Sequence, residues 1–303
     1  MIVLVILLAV SGIVLTAMYQ MAMRQASVAN RTEMHSGVRS VTEVLQQEIS
    51  QAGRIAFPDP EYTALSAAVV SGACDNNGAG VSSTVAVDNP EYMFDGIRLL
   101  IDIGDCEEVV TAAFDGANIT AAFRKSHALG ALVRPAGAFA EGILANSTGT
   151  RLNMFGDIND DGSLVYIEYI CNPNAAGGTL TRQEMPWDTP VANTGDFPAQ
   201  LLLTNVLPNP DDPLTGNPVP CFTYQQQTVT IDGTPFTFTI NVGVTLTAKA
   251  EFDDPQTGAQ QVETKALLTV SPRNIFQAWE MATMSGTKKH VQPTPPNITE
   301  LAE

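Results

Sequence analysis

The chain has 303 residues, enough for one large or two small globular units, and its 45% apolar content argues against global disorder. Fifteen basic against 32 acidic residues give a net charge of −17. Four arginines against three glutamates up to residue 56 leave −18 for the remainder, and so acidic a body repels phosphate backbones, so no nucleic-acid partner is expected.

The first predicted element is a helix. Residues 1–23 carry no charge, and Met1, Ile2, Val3, Leu4, Val5, Ile6, Leu7, Leu8, Val10, Ile13, Val14 and Leu15 supply an apolar run of the length that crosses a bilayer. A cleavable leader would want a basic start, a shorter apolar core and a small-residue cleavage site. No Lys or Arg precedes this run, so an anchor is expected. No proline interrupts the chain before Pro58. From Met34 the apolar residues fall at Val38, Val41, Leu45, Ile49 and Ala52, steps of three and four that draw one stripe down a helix. Arg39, Glu43, Gln47 and Ser50 occupy the other face. Gly53, with Pro58 and Pro60 beyond it, is a natural stop. One helix of about 50 residues, about 75 Å long, is predicted. Its first half is apolar all round, and its second half needs a domain to lie on.

Residues 58–96 are rich in Gly, Asn, Ser and Pro and read as loops. Strand-like runs follow at 97–103, 108–114, 164–171, 179–184 and 201–207. The clearest is 236–248, where every second residue is apolar and most others are Thr, the pattern of a half-buried antiparallel strand. Residues 261–270 return as its hairpin partner. The string Asp-Asp-Pro-x-Thr-Gly precedes that return at 253–258 and occurs also at 211–216, and both copies read as Pro-containing turns. Residues 286–303, with Pro293, Pro295 and Pro296, read as an extended tail.

Four cysteines, Cys74, Cys106, Cys171 and Cys221, include no CxxC pair, and with three histidines they give zinc little support. An even count in an exported chain suggests two disulfides. Three connectivities exist; Cys74–Cys106 and Cys171–Cys221 close the nearest loops, and four buried thiols are the alternative. Asp157, Asn159, Asp161 and Gly162 satisfy a calcium-loop pattern, with Glu168 in the closing position. The strand expected over 164–171 would carry Glu168 roughly 23 Å away, so it cannot close the loop. The predicted Ca²⁺ ligands are therefore Asp157, Asn159, Asp161 and the Ser163 carbonyl, completed from elsewhere or by water. A solvated turn is the competing reading. His35, His127 and His290 stand in no catalytic pattern, and no nucleophile elbow is present, so no enzyme activity is expected. Asn30, Asn118, Asn146 and Asn297 fit the N-glycosylation pattern, a short motif read here as mostly chance.

The fold class expected is α+β, a long N-terminal helix on an antiparallel head. In this arrangement the chain resembles type IV pilins and the pseudopilins of type II secretion, within them the PilW-like and J-type large minor pilins. Three stretches carry the resemblance: the apolar start 1–10, the helix end LQQEISQAGR over 45–54, and the last strand closing in LTVSPRN over 268–274. The resemblance implies a filament-core or transmembrane helix over 1–26, an amphipathic continuation over 27–53, a β-rich head over 54–274 and a C-terminal tail over 275–303. It implies a subunit held in the bacterial inner membrane, then packed into an extracellular helical filament as a homo-oligomer or with other pilins. The residues of the apolar run form its core, and the head is a candidate for adhesion. A secretion pseudopilin, or a low-copy minor pilin that primes assembly, is the alternative. The family's basic leader, its glycine before the cleavage point and its early glutamate are missing, since the first acid is Glu33. The chain as read is expected to begin just after that glutamate.

Overall fold

The computed structural model describes residues 2–302, apart from the side chains of residues 5 and 266–268. Met1 and the Val5 side chain, both assigned to the apolar core, lie outside the described residues. Helix α1 spans Ile2–Gln51 as one uninterrupted element of 50 residues. The stripe read from the sequence is the face it buries: Met34, Val38, Val41, Leu45, Ile49 and Ala52 are all buried. Gly53 then adopts φ 78°, a left-handed conformation suited to a residue without Cβ, and the helix ends.

The stripe lies on a seven-stranded sheet. Its strands are β1 (Arg151–Gly156), β2 (Val165–Asn172), β3 (Gly178–Pro186), β4 (Gln200–Leu207), β5 (Phe222–Ile231), β6 (Thr234–Asp253) and β7 (Gln260–Val270). The order is β5-β6-β4-β3-β2-β1, with β7 also pairing β6. The 20-residue strand β6 organises it, and Phe238, Ile240, Val242, Val244, Leu246 and Ala248 point into the core at alternate positions. Its N-terminal half pairs with β5 (Thr223↔Gly243, Val229↔Phe236), while its C-terminal half pairs with β7 (Thr247↔Thr264) and β4 (Val206↔Ala248).

The head holds a second apolar core, built mainly from residues 55–144. A four-stranded sheet there contains Val81–Asp88 and Asn118–Phe123, and a three-stranded one contains Arg98–Ile101, Glu108–Thr111 and Val133–Pro135. The reading of 58–96 as loops thus holds only outside Ala64–Leu65 and Val81–Asp88. Val85 and Val87 supply the apolar face of the second strand, which the surrounding Gly, Ser and Asn masked.

The extended tail is corrected. Residues after Pro272 fold back on the head. Helix α2 (Arg273–Ser285) buries Ile275, Ala278 and Ala282, a stripe too short and too Ala-rich to stand out in the sequence. Gly286 closes the helix at φ 65°, its N–H donating to the Ala282 carbonyl. Val291–Gln292 then pairs in parallel with Ala138–Phe139. Gln292 is 1% exposed and tied at both ends of its amide: it accepts from the Arg98 N–H at 2.9 Å and donates to the Arg98 and Ala136 carbonyls at 2.6 Å. Helix α3 (Pro296–Leu301) ends the fold with Ile298 buried.

The disulfides are Cys74–Cys106 and Cys171–Cys221, the two nearest-loop pairings. The repeated Asp-Asp-Pro-x-Thr-Gly strings form the same turn twice. In each, the second aspartate carboxylate accepts an N–H two residues on (Leu214, Gln256), and its carbonyl accepts the closing glycine N–H (Gly216, Gly258). Both glycines sit near φ 67°.

Candidate functional site

Three features of the structure carry chemistry or assembly, and all but one involve α1. The first is its N-terminal half. Ile2, Val3, Leu4, Ile6, Leu7, Leu8, Val10, Ile13, Val14 and Leu15 are each at least half exposed. The most apolar 18-residue window of the helix has mean hydropathy 2.7, none of it is buried, and it is long and apolar enough to cross a membrane. Each such side chain left in water forgoes roughly 1.5–3 kcal/mol relative to burial.

The second feature fastens the other half to the head. Glu48 sits at the edge of the buried stripe, one position before Ile49. Arg182 of β3 donates to both its oxygens, Nη2 to Oε1 at 2.7 Å and Nε to Oε2 at 3.2 Å, and Tyr169 of β2 donates its hydroxyl to Oε2 at 2.5 Å. Glu184 lies 2.6 Å from the same guanidinium nitrogen. Tyr169 is fully buried and Arg182 nearly so. Burial, then the Glu48 charge, lifts the Tyr169 hydroxyl far above its ordinary value. Burial alone would lower Arg182, but hydrogen bonds to Glu48 and Glu184 reverse the sign and hold it firmly cationic. The signal for this cluster was in the sequence: an acid at the margin of an apolar helical stripe calls for a base on the sheet beneath it. Only the register Tyr169↔Arg182 shows which one.

The third feature is the loop 157–163, between β1 and β2. Asp157 is fully buried at the end of β1. Its Oδ1 accepts the N–H groups of Asp161 at 3.1 Å and Gly162 at 3.3 Å, and Asp161 in turn accepts the Ser163 N–H at 2.8 Å. The positive charge facing Asp157 belongs to Arg54, three residues past α1. Its Nε stands 3.4 Å from Oδ2, and its Nη1 contacts Asp160. Burial raises the Asp157 carboxyl above the usual range, and Arg54 together with the two N–H groups opposes it. Asn159 turns its amide nitrogen to Glu184 at 3.0 Å. Glu168 points elsewhere, to Arg151 at 3.0 Å. Thus Asp157, Asp161 and Ser163 share one turn, Asn159 leans on β3, and Glu168 takes no part. Among the described residues no three His, Cys, Asp or Glu side chains converge as a metal cluster. An amide and a main-chain carbonyl, half of the predicted donor set, are not of those types.

The sequence reading missed Glu48, Tyr169, Arg182 and Glu184, Arg54 beside Asp157, and the surroundings of His127. His127 is buried between two carboxylates, Nδ1 3.2 Å from Asp102 and Nε2 2.9 Å from Glu108. Glu108 also accepts the N–H groups of Arg124 and Lys125 at 3.0 Å. The neighbouring Ser126 hydroxyl accepts the Ser71 N–H. This cluster joins the two small sheets. His127 lies 25 residues from Asp102 and 19 from Glu108, so no local motif announces the cluster.

No family model, no curated protein and no solved structure matches the chain.

Proposed function

We propose that the chain is a structural subunit of a type IV pilin-like filament, held in the bacterial inner membrane by the first half of α1 and drawn from there into the filament core. The observation that carries this reading is the division of one helix into two halves. Residues 34–52 are seated on the sheet by an apolar stripe and by Glu48, while the preceding apolar half projects bare. A membrane anchor alone has no need of a helix that continues rigidly into the head. A subunit that must pass its anchor from lipid into a bundle of like helices does, because the head then travels with the helix as one body. The ten aliphatic side chains above, at roughly 1.5–3 kcal/mol each, amount to a driving force on the order of 15 kcal/mol or more for any apolar surrounding over water. The acidic head is outermost in this arrangement and is the part available for adhesion.

The test removes residues 1–26. A chain beginning at Ser27 retains the whole stripe, both disulfides and both cores, so it is expected to be a folded, soluble monomer by circular dichroism and sizing. Cells expressing only that chain are expected to lack filaments, while sheared filaments from cells with the full chain contain it by electron microscopy and mass spectrometry. Normal filaments built from the shortened chain would overturn the reading. Full chain confined to the periplasmic face, with no surface fibres, would replace it with the secretion pseudopilin.

A further inference from the structure

Asp157 leaves one polar atom unexplained. Its Oδ1 is used twice within the turn, but Oδ2 is buried and has no hydrogen-bond donor. Arg54 lies 3.4 Å away by Nε and commits Nη1 to Asp160, so it faces the oxygen as a charge without bonding it. A fully buried carboxylate oxygen without a donor is costly, and native folds supply such an atom with a partner.

The rest of the turn supplies further oxygen donors. Asp160 at φ 59° and Gly162 at φ 81° turn the backbone left-handed, and the N–H groups of Asp161 and Gly162 on Asp157 and of Ser163 on Asp161 hold positions one, five and seven of the loop in one turn. A Cβ on Gly162 would stand 2.6 Å from the Pro58 Cα, so the coil is pressed against the chain leaving α1. Asn159 commits its amide nitrogen to Glu184, which leaves the amide oxygen as the arm facing away from that carboxylate. Two carboxylates, an amide oxygen and a main-chain carbonyl within seven residues are hard oxygen donors of the kind calcium takes, with water completing six to eight ligands. Three aspartates against one arginine leave the loop with surplus negative charge.

We propose that the loop 157–163 binds a calcium ion through Asp157 Oδ2, Asn159, Asp161 and the Ser163 carbonyl, in competition with the Arg54 guanidinium for Asp157. Binding moves Arg54 wholly onto Asp160. Because the Asp157 N–H also donates to the Arg54 carbonyl at 2.9 Å, and the Gly53 N–H to Phe155, the ion stiffens the junction between α1 and the head. The proposal stands apart from the filament reading and is independent of it.

The experiment is calorimetric titration of calcium into the full chain in nonionic detergent micelles after removal of divalent ions with a chelator. One saturable site with a Kd tighter than about 10⁻³ M is expected, with magnesium much weaker. Asp161→Asn, at an exposed position that leaves the buried turn intact, and Asp157→Asn, which keeps the Oδ1 acceptor, each remove a ligand charge and weaken binding at least about tenfold. Arg54→Gln removes the competitor and tightens binding. No saturable heat up to about 10 mM calcium, or equal affinity in the wild type and Asp161→Asn, overturns the proposal. Unchanged affinity in Arg54→Gln overturns the competition.

Discussion

Glu48→Ala tests whether α1 and the head form one mechanical unit. The carboxylate is 13% exposed and receives a two-point contact from Arg182 and a hydroxyl from Tyr169. Removing it leaves the Arg182 charge with Glu184 as its remaining acid, and the Tyr169 hydroxyl without its acceptor. Breaking a buried pair costs about 3–5 kcal/mol, and retention of Glu184 puts this case at the lower end. The orphaned hydroxyl adds about 1 kcal/mol. A loss of about 3–4 kcal/mol is therefore expected, against about 1 kcal/mol for Tyr169→Phe, which removes only the donor. An exposed pair of the same residue types would contribute about 0–1 kcal/mol. The assay is urea unfolding in micelles by circular dichroism, with Arg182→Ala and the double replacement completing a cycle. A Glu48→Ala loss of 1 kcal/mol or less, or additive single replacements, would refute the argument, because either outcome means the pair is screened by water.

Three further outcomes are expected. Ile298→Ala, at a fully buried position in α3, should destabilise the chain by about 2–5 kcal/mol in the same assay, whereas an unpacked tail would leave stability unchanged. Replacing Cys171 and Cys221 together by Ser opens a loop with a sequence separation of 50 and should lower stability by about 4 kcal/mol on the chain-entropy account, read as a shifted urea midpoint relative to the oxidised parent. Burial raises the hydroxyls of Tyr166, Tyr169 and Tyr224 above the ordinary tyrosine value, so the native state keeps three protons that the unfolded chain sheds. Stability is intact below about pH 10 and should fall above it by about 4 kcal/mol per pH unit towards the folded values. A urea midpoint that stays flat from pH 9.5 to 11, both roughly bracketing the free tyrosine value, would contradict the burial of these hydroxyls.

What the sequence determined by itself was whatever short-range periodicity controls. The 50-residue helix, its buried stripe and its stop at Gly53 follow from spacings of three and four residues and from one glycine, all local quantities. The 236–248 alternation likewise located β6 and its return strand, and the two Asp-Asp-Pro turns follow from side-chain-to-backbone bonds that span two residues. Where the pattern was too short to have a period, the tertiary structure decided. Val85 needed Ile119, 34 residues on, and Val87 needed Leu65, 22 residues back, before their segment became a strand, and Ile275, Ala278 and Ala282 became a helix face because the head offers them a surface. The chemistry divides in the same way. Asp157, Asn159, Asp161 and Ser163 are within seven residues and were legible as a turn; Arg54, which faces them, lies over 100 positions earlier. Glu48 and Arg182 are 134 residues apart, and His127 meets Asp102 and Glu108 only where two sheets abut. Charges buried in a fold must find opposite charges or hydrogen bonds, but which ones they find is set by strand register and by how the cores close, and neither has a local signature in the chain.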